Sequence, residues 1–239
     1  MDRIREIADA HHLFIIEDAC EALGATWRGK PVGTLGDIGI FAFYPNKQIT
    51  TGEGGILLTR HLPYYNVACS LRNQGRDPDS DWLTHDRLGY NYRMSDLQAA
   101  VGLAQMERLQ TILSKRERVA ARYHRLIHGA GLKVETLRPL PDSSMSWFVY
   151  IVKLEEGTDR GSVIKRLAEA GVQSKPYFPS IHLFPSYRSQ FGFKPGAFPV
   201  SESISERTLA IPFYTNMTAR EQAYVVRSLR AALGGEDKA

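Results

Sequence analysis

An α/β fold built on a parallel sheet is what this sequence predicts, and three observations carry it. A charged helical segment runs directly into an apolar strand that ends in carboxylates. A second apolar strand is followed closely by a lysine. A long capped helix then leads to a second strand–helix unit.

Each element can be justified in order. Asp2 to His11 sets Ile4, Ile7 and Ala8 at helical spacing. LFIIEDAC follows at once, and its β-branched Ile15 and Ile16 predict a buried parallel strand ending at Glu17 and Asp18. The carboxyl ends of such strands are where α/β folds hold ligands. GDIGIFAFYPNK reads the same way, with a strand over 38–43 and a turn at Pro45 and Asn46. After TTGEGG, the run ILLT is a third strand. From Leu62 to Arg93 the pattern is mixed, and GRDPDSDW reads as loop. Ser95 is an N-cap with Asp96 in the first turn. Helical spacing continues through Leu97, Ala100, Val101, Ala104 and Leu109 to about Ile127, with a break near Thr111 and a stop at Gly129 and Gly131. WFVYIVKL is a strand, and DRGSVIKRLAEAG a capped helix ending at Gly171. After a Pro- and aromatic-rich stretch, TAREQAYVVRSLRAAL closes the chain as a helix N-capped by Thr218, and the tail GGEDKA frays.

Composition excludes several classes. The 239 residues are 43% hydrophobic and 23% charged, which suits a globular protein rather than a disordered one. The net charge of +4 is a weak field at this length, and the cluster Lys115, Arg116 and Arg118 reads as a solvated helix face, not a nucleic-acid groove. Cys20 and Cys69 match no metal spacing and no disulfide framework, so no metal site is expected and a reducing compartment fits. No apolar run approaches the roughly 18 residues of a membrane helix. A cytoplasmic protein is the expectation.

Asp18 and Lys47 are the sharpest pair. Each follows an expected parallel strand, so both face one sheet edge. A lysine among apolar groups serves as a nucleophilic amine, and a buried aspartate keeps a ring nitrogen protonated. The same two residues are also compatible with a plain ion pair. TTGEGG lacks the lysine placement of a phosphate loop, and Gly33, Gly36 and Gly39 do not follow the dinucleotide fingerprint. Asn91 and Arg93 could cap the helix that starts near Ser95. His182 could meet phosphates, or pack between Phe178 and Phe184.

Longer blocks carry a resemblance. IIEDACEALGA, KPVGTLGDIGIFAFYPNKQITTGEGG, LGYNYRMSDLQAAVGLAQMERL, KPYFPSIHLFPSYR and LAIPFYTNMTAREQAYVV run in one order over nearly the whole chain. The sequence resembles the sugar-nucleotide aminotransferases of the DegT/StrS family, which depend on pyridoxal 5'-phosphate (PLP). The resemblance implies an α/β fold of type I PLP-dependent transferases, like aspartate aminotransferase. Residues 1–110 would be the C-terminal part of the large PLP-binding domain, and 111–239 a linking helix and small C-terminal domain. Lys47 matches the lysine that bonds PLP and moves the substrate proton, and Asp18 the partner of the pyridine nitrogen. Glu21 stands where many members have Gln near the phenolic oxygen, and an anion there would repel it. Ala42 replaces a common phosphate-binding Ser. Asn91 matches an asparagine that reaches the neighbouring subunit's cofactor phosphate, which implies a homodimer with shared sites. Arg93 would support that loop and, with His182, contact substrate.

The implied activity is amino transfer, from glutamate, to a nucleotide-linked keto sugar for amino-sugar or surface polysaccharide synthesis. Two rivals are a PLP-dependent sugar dehydratase, against which Lys47 argues, and a catalytically silent truncated member acting as an interaction or regulatory subunit. About three strands precede the long helix, against the five or six usual in a doubly wound sheet. The sequence is therefore expected to begin inside the large domain, with Met1 an internal methionine.

Overall fold

A computed structural model describes residues 1–81 and 83–234. In chain order the elements are α1 (Asp2–Ala10), β1 (Ile16–Asp18), β2 (Thr26–Trp27), β3 (Lys30–Pro31), β4 (Ile38–Ala42), β5 (Gly55–Thr59), α2 (Leu62–Arg72), α3 (Asp96–Met106) and α4 (Leu109–Gly129). Then come β6 (Val134–Thr136), β7 (Ser143–Ser144), β8 (Tyr150–Leu154), α5 (Arg160–Glu169), β9 (Lys175–Pro176), a 3-10 turn (Ile181–Leu183), α6 (Pro185–Phe191), α7 (Pro199–Arg207), β10 (Thr208–Ile211) and α8 (Ala219–Ala232). Two units form: residues 1–114 with 139–148, and residues 115–138 with 149–239. Among the described residues, no helix is long and apolar enough to cross a membrane.

In the first unit, β1 and β4 pair in parallel, with Asp18 opposite Ile40, as the two strand ends require. β5 joins β4 antiparallel, and the order is β1-β4-β5. β1 is only three residues long and is not buried as expected: Phe14 is 74% and Ile16 65% exposed. It lies at the edge of a three-stranded sheet, so one side has no neighbouring strand among the described residues. The glycines at 33, 36 and 39 have a packing reason. A Cβ on Gly39 would overlap the Gly33 carbonyl, and Gly33 has φ +80. The same loop wraps Glu17, whose carboxylate accepts from the amides of Gly33 at 2.7 Å, Leu35 and Gly36. The nest thus holds the protein's own anion.

The mixed apolar pattern of 62–72 hides helix α2 in the sequence, although Pro63 in its first turn is a start signal. Ser95 caps α3 in a reciprocal box with Gln98, as expected. The break before α4 falls at Glu107 and Arg108, earlier than Thr111.

The second unit is the antiparallel sheet β6-β8-β10-β9 with α5 and α8. Asp159 and Thr218 cap these helices, Thr218 in a box with Glu221. Arg116 departs from the solvated-face reading. It is buried, donates to Thr215 Oγ1 at 3.1 Å and lies 4.8 Å from the Phe213 ring centre. Burial lowers its pKa to about 10. Apart from Gly234, the tail said to fray lies outside the described residues.

Candidate active site

The carboxyl ends of β1 and β4 bring Asp18, Glu21 and Lys47 to one edge of the first sheet. β1 stops at Asp18, and Ala19 N keeps the pairing one step further by donating to Ile40 O. β4 stops at Ala42, and a turn closed by Lys47 N to Tyr44 O at 3.0 Å carries the chain to Lys47. Lys47 is 13% exposed. Its Nζ donates to Glu21 Oε1 at 3.1 Å and sits 4.4 Å from the centre of the Phe148 ring. The amine is therefore held by a carboxylate and an aromatic face, not by a purely apolar ring.

Asp18 is exposed rather than buried. Its pKa is lowered first by hydrogen bonds from the thiol and amide of Cys20, with burial opposing and Lys47 adding a smaller pull. The Cys20 amide lies 3.2 Å from Asp18 Oδ1. The Cys20 thiol is pushed up to about 11, chiefly by burial and then by Asp18, so it remains a donor at neutral pH. Asp18 is thus kept as an anion.

Behind the lysine lies a clamp. Gln48 is 4% exposed, and its Nε2 reaches Glu21 O at 2.7 Å, Ser146 O at 3.1 Å and Ser146 Oγ at 3.0 Å. One amide so ties the Glu21 backbone to the segment that carries Phe148. Among the described residues, Gln48 Oε1 is buried without a partner. TTGEGG makes the Gly-rich turn expected of it, with Gly52 at φ +83, and Thr50 Oγ1 and Thr51 N both donate to Phe43 O at 3.0 Å.

The sequence profile of the DegT/DnrJ/EryC1/StrS aminotransferase family matches residues 1–230. The chain belongs to that family. It is 37% identical over 235 residues to the GDP-perosamine synthase of Caulobacter vibrioides, an alignment covering 98% of this chain and 62% of that protein. A DegT DnrJ EryC1 StrS aminotransferase from Brucella abortus superimposes with TM-score 0.87 at 28% identity, over 98% of this chain and 61% of that one. Spr1654 from Streptococcus pneumoniae, solved in a PLP form, superimposes with TM-score 0.86 at 25% identity, over 95% and 60%. The chain thus spans about three fifths of the length of these relatives. The fold is that of the type I PLP-dependent aminotransferases.

The remaining expected residues have partners of their own. Asn91 is exposed and makes an isolated bridge to Asn73. Arg93 Nη1 donates to Asn73 Oδ1 at 3.0 Å. Neither caps α3, because Ser95 does so itself. His182 belongs to the second unit and is 9% exposed. It packs on Phe193 and Phe198, not between Phe178 and Phe184, and its Nε2 lies 2.9 Å from Glu202 Oε1. Sequence reasoning missed Cys20, Gln48, Ser146 and Phe148. Cys20 and Gln48 each lie within two residues of a recognised position. Ser146 and Phe148 lie about a hundred residues further on and carried no local signal.

Proposed function

We propose that the protein is a PLP-dependent aminotransferase that moves an amino group, from glutamate, to a nucleotide-linked keto sugar for amino-sugar or surface polysaccharide synthesis. The observation that carries this reading is that Lys47 and an ionised Asp18 follow two paired parallel strands at one sheet edge, in a chain of this family. The residues fit the cofactor. Lys47 offers a shielded amine for its aldehyde, and Asp18 a carboxylate held anionic for a protonated ring nitrogen. When bound, PLP supplies an electron sink for carbanion chemistry. Lys47 would hold it through Nζ and carry the proton between substrate carbon and cofactor. Glu21 orients Lys47 by accepting from Nζ, and Phe148 screens the ammonium from water. The nucleotide-sugar substrate is supported by the relative named as a GDP-perosamine synthase.

Further proposals concern assembly and place. Asn91, exposed beside Arg93, would reach the cofactor phosphate of a second subunit in a homodimer with shared sites, and Arg93 and His182 would contact substrate or hold the loops that do. Two unbonded thiols, Cys20 and Cys69, suit a cytoplasmic setting. PLP added to the protein should give a visible band that Lys47→Ala abolishes together with amino transfer to a keto-sugar nucleotide. An undiminished band in Lys47→Ala would overturn the assignment.

A further inference from the structure

Glu17 stands one residue before Asp18, and side chains alternate along a strand, so the two carboxylates leave β1 on opposite faces. Asp18 serves the candidate active site, while Glu17 faces the loop that feeds β4, the strand leading to Lys47. Its Oε2 accepts from Gly33 N at 2.7 Å, and its Oε1 from Leu35 N at 2.5 Å and from Gly36 N. The same loop grips the chain just before β1. Asp37 Oδ2 accepts from Ile15 N at 2.8 Å, and Ile15 O accepts from Asp37 N at 2.9 Å. Glycine at 36 permits this approach, since a Cβ there would lie 2.7 Å from Ile15 O. β1 needs such a hold. It has three residues and, among the described residues, one neighbouring strand, β4. The register sets Ile16, Glu17 and Asp18 opposite Ile38, Gly39 and Ile40. A slip of one residue would turn Asp18 to the other face of the sheet. Hydrogen bonds to a charged acceptor are roughly twice as strong as neutral ones, so three on one carboxylate add strongly to so short a ladder.

We propose that Glu17 is a positioning residue for the Asp18–Lys47 pair: by binding the amides of Gly33, Leu35 and Gly36 it locks β1 to the loop before β4, and so fixes the register in which both residues meet the cofactor. The cofactor part rests on the function proposed above. PLP is achiral and shows circular dichroism in its visible band only when a site holds it asymmetrically, so the signal per bound PLP reads placement rather than stability. In Glu17→Ala this signal should fall, and PLP should bind about tenfold more weakly. Glu17→Gln keeps one acceptor oxygen for Leu35 and Gly36 and loses the bond from Gly33, so it should fall between parent and Glu17→Ala; it also carries the test if Glu17→Ala does not fold. Asp159→Ala removes the N-cap of α5 in the second unit, so it should lower the melting temperature and leave the signal per bound PLP unchanged. A parental signal in both Glu17 variants, whatever their melting temperatures, or an equal loss in Asp159→Ala, overturns the proposal. Hydrogen exchange without PLP separates it from the functional reading. A parent that gives no visible band refutes the aminotransferase, and exchange at the Ala19 amide, which donates to Ile40 O, then decides the register role. Faster exchange in Glu17→Gln than in the parent keeps that role, and equal exchange overturns it.

Discussion

Replacing Gln48 by Leu should loosen the first unit and the lysine site together. Leu fills nearly the same volume, so the cost is polar rather than a cavity term. Gln48 Nε2 serves two main-chain carbonyls, Glu21 O and Ser146 O, and the Ser146 hydroxyl. With Leu there, both carbonyls lose this donor in a site only 4% exposed. A buried polar group left unpaired costs about 1–3 kcal/mol, so two should cost about 2–6 kcal/mol. At a urea m-value of about 2 kcal/mol/M, the midpoint of the first unit should fall by roughly 1–3 M. Ser146→Ala removes the hydroxyl alone and keeps both carbonyls satisfied, so its midpoint should move by less than about 0.5 M. Because Glu21 and Phe148 both lean on this clamp, Gln48→Leu should also weaken PLP retention, read from the visible band after dialysis. A midpoint within about 0.3 M of the parent, with the band retained, would refute the clamp.

Three further expectations follow from the geometry. Asp18→Asn should keep PLP but lose at least ~100-fold in turnover, equivalent to two factors of 1.36 kcal/mol, and a near-parental rate would mean that another group protonates the ring. Gly39→Ala puts a Cβ on the Gly33 carbonyl, and backbone yields poorly, so the soluble yield and melting temperature of the variant should both drop. The Glu202 carboxyl is held below the ordinary range, first by the amide of Gly196 and then by His182. A carboxylate with a depressed folded pKa contributes stability above its unfolded pKa, near 4.3, and loses it as pH falls through the lower folded value. Urea midpoints of parent and Glu202→Gln should therefore differ at pH 7 and converge as pH drops below about 4, whereas a gap that stayed constant down to pH 3 would contradict this.

What the sequence determined by itself was whatever a few neighbouring residues settle. Ser95 with Gln98, Thr218 with Glu221, and Asp159 close their hydrogen bonds within three residues, so these helix starts are local chemistry. The parallel alignment of the Asp18 and Lys47 strands was legible for a similar reason: a helix or turn beside an apolar run limits how strands can pair. Helix α2 and the elements between Lys175 and Ile211 were not legible, because their apolar residues follow no single period. Tertiary structure alone decided the rest. The exposure of Phe14, Ile16 and Asp18 depends on what lies beside β1, not on β1 itself. Arg116 looks like a surface residue by type, yet it is buried, with its guanidinium over the Phe213 ring and bonded to Thr215. The partners of Lys47 come from the turn after β1 and from the segment before β8, and the Gln48–Ser146 tie joins residues 98 positions apart. Such pairings form only after loop closure has brought distant segments together, and no local pattern encodes where a chain will return.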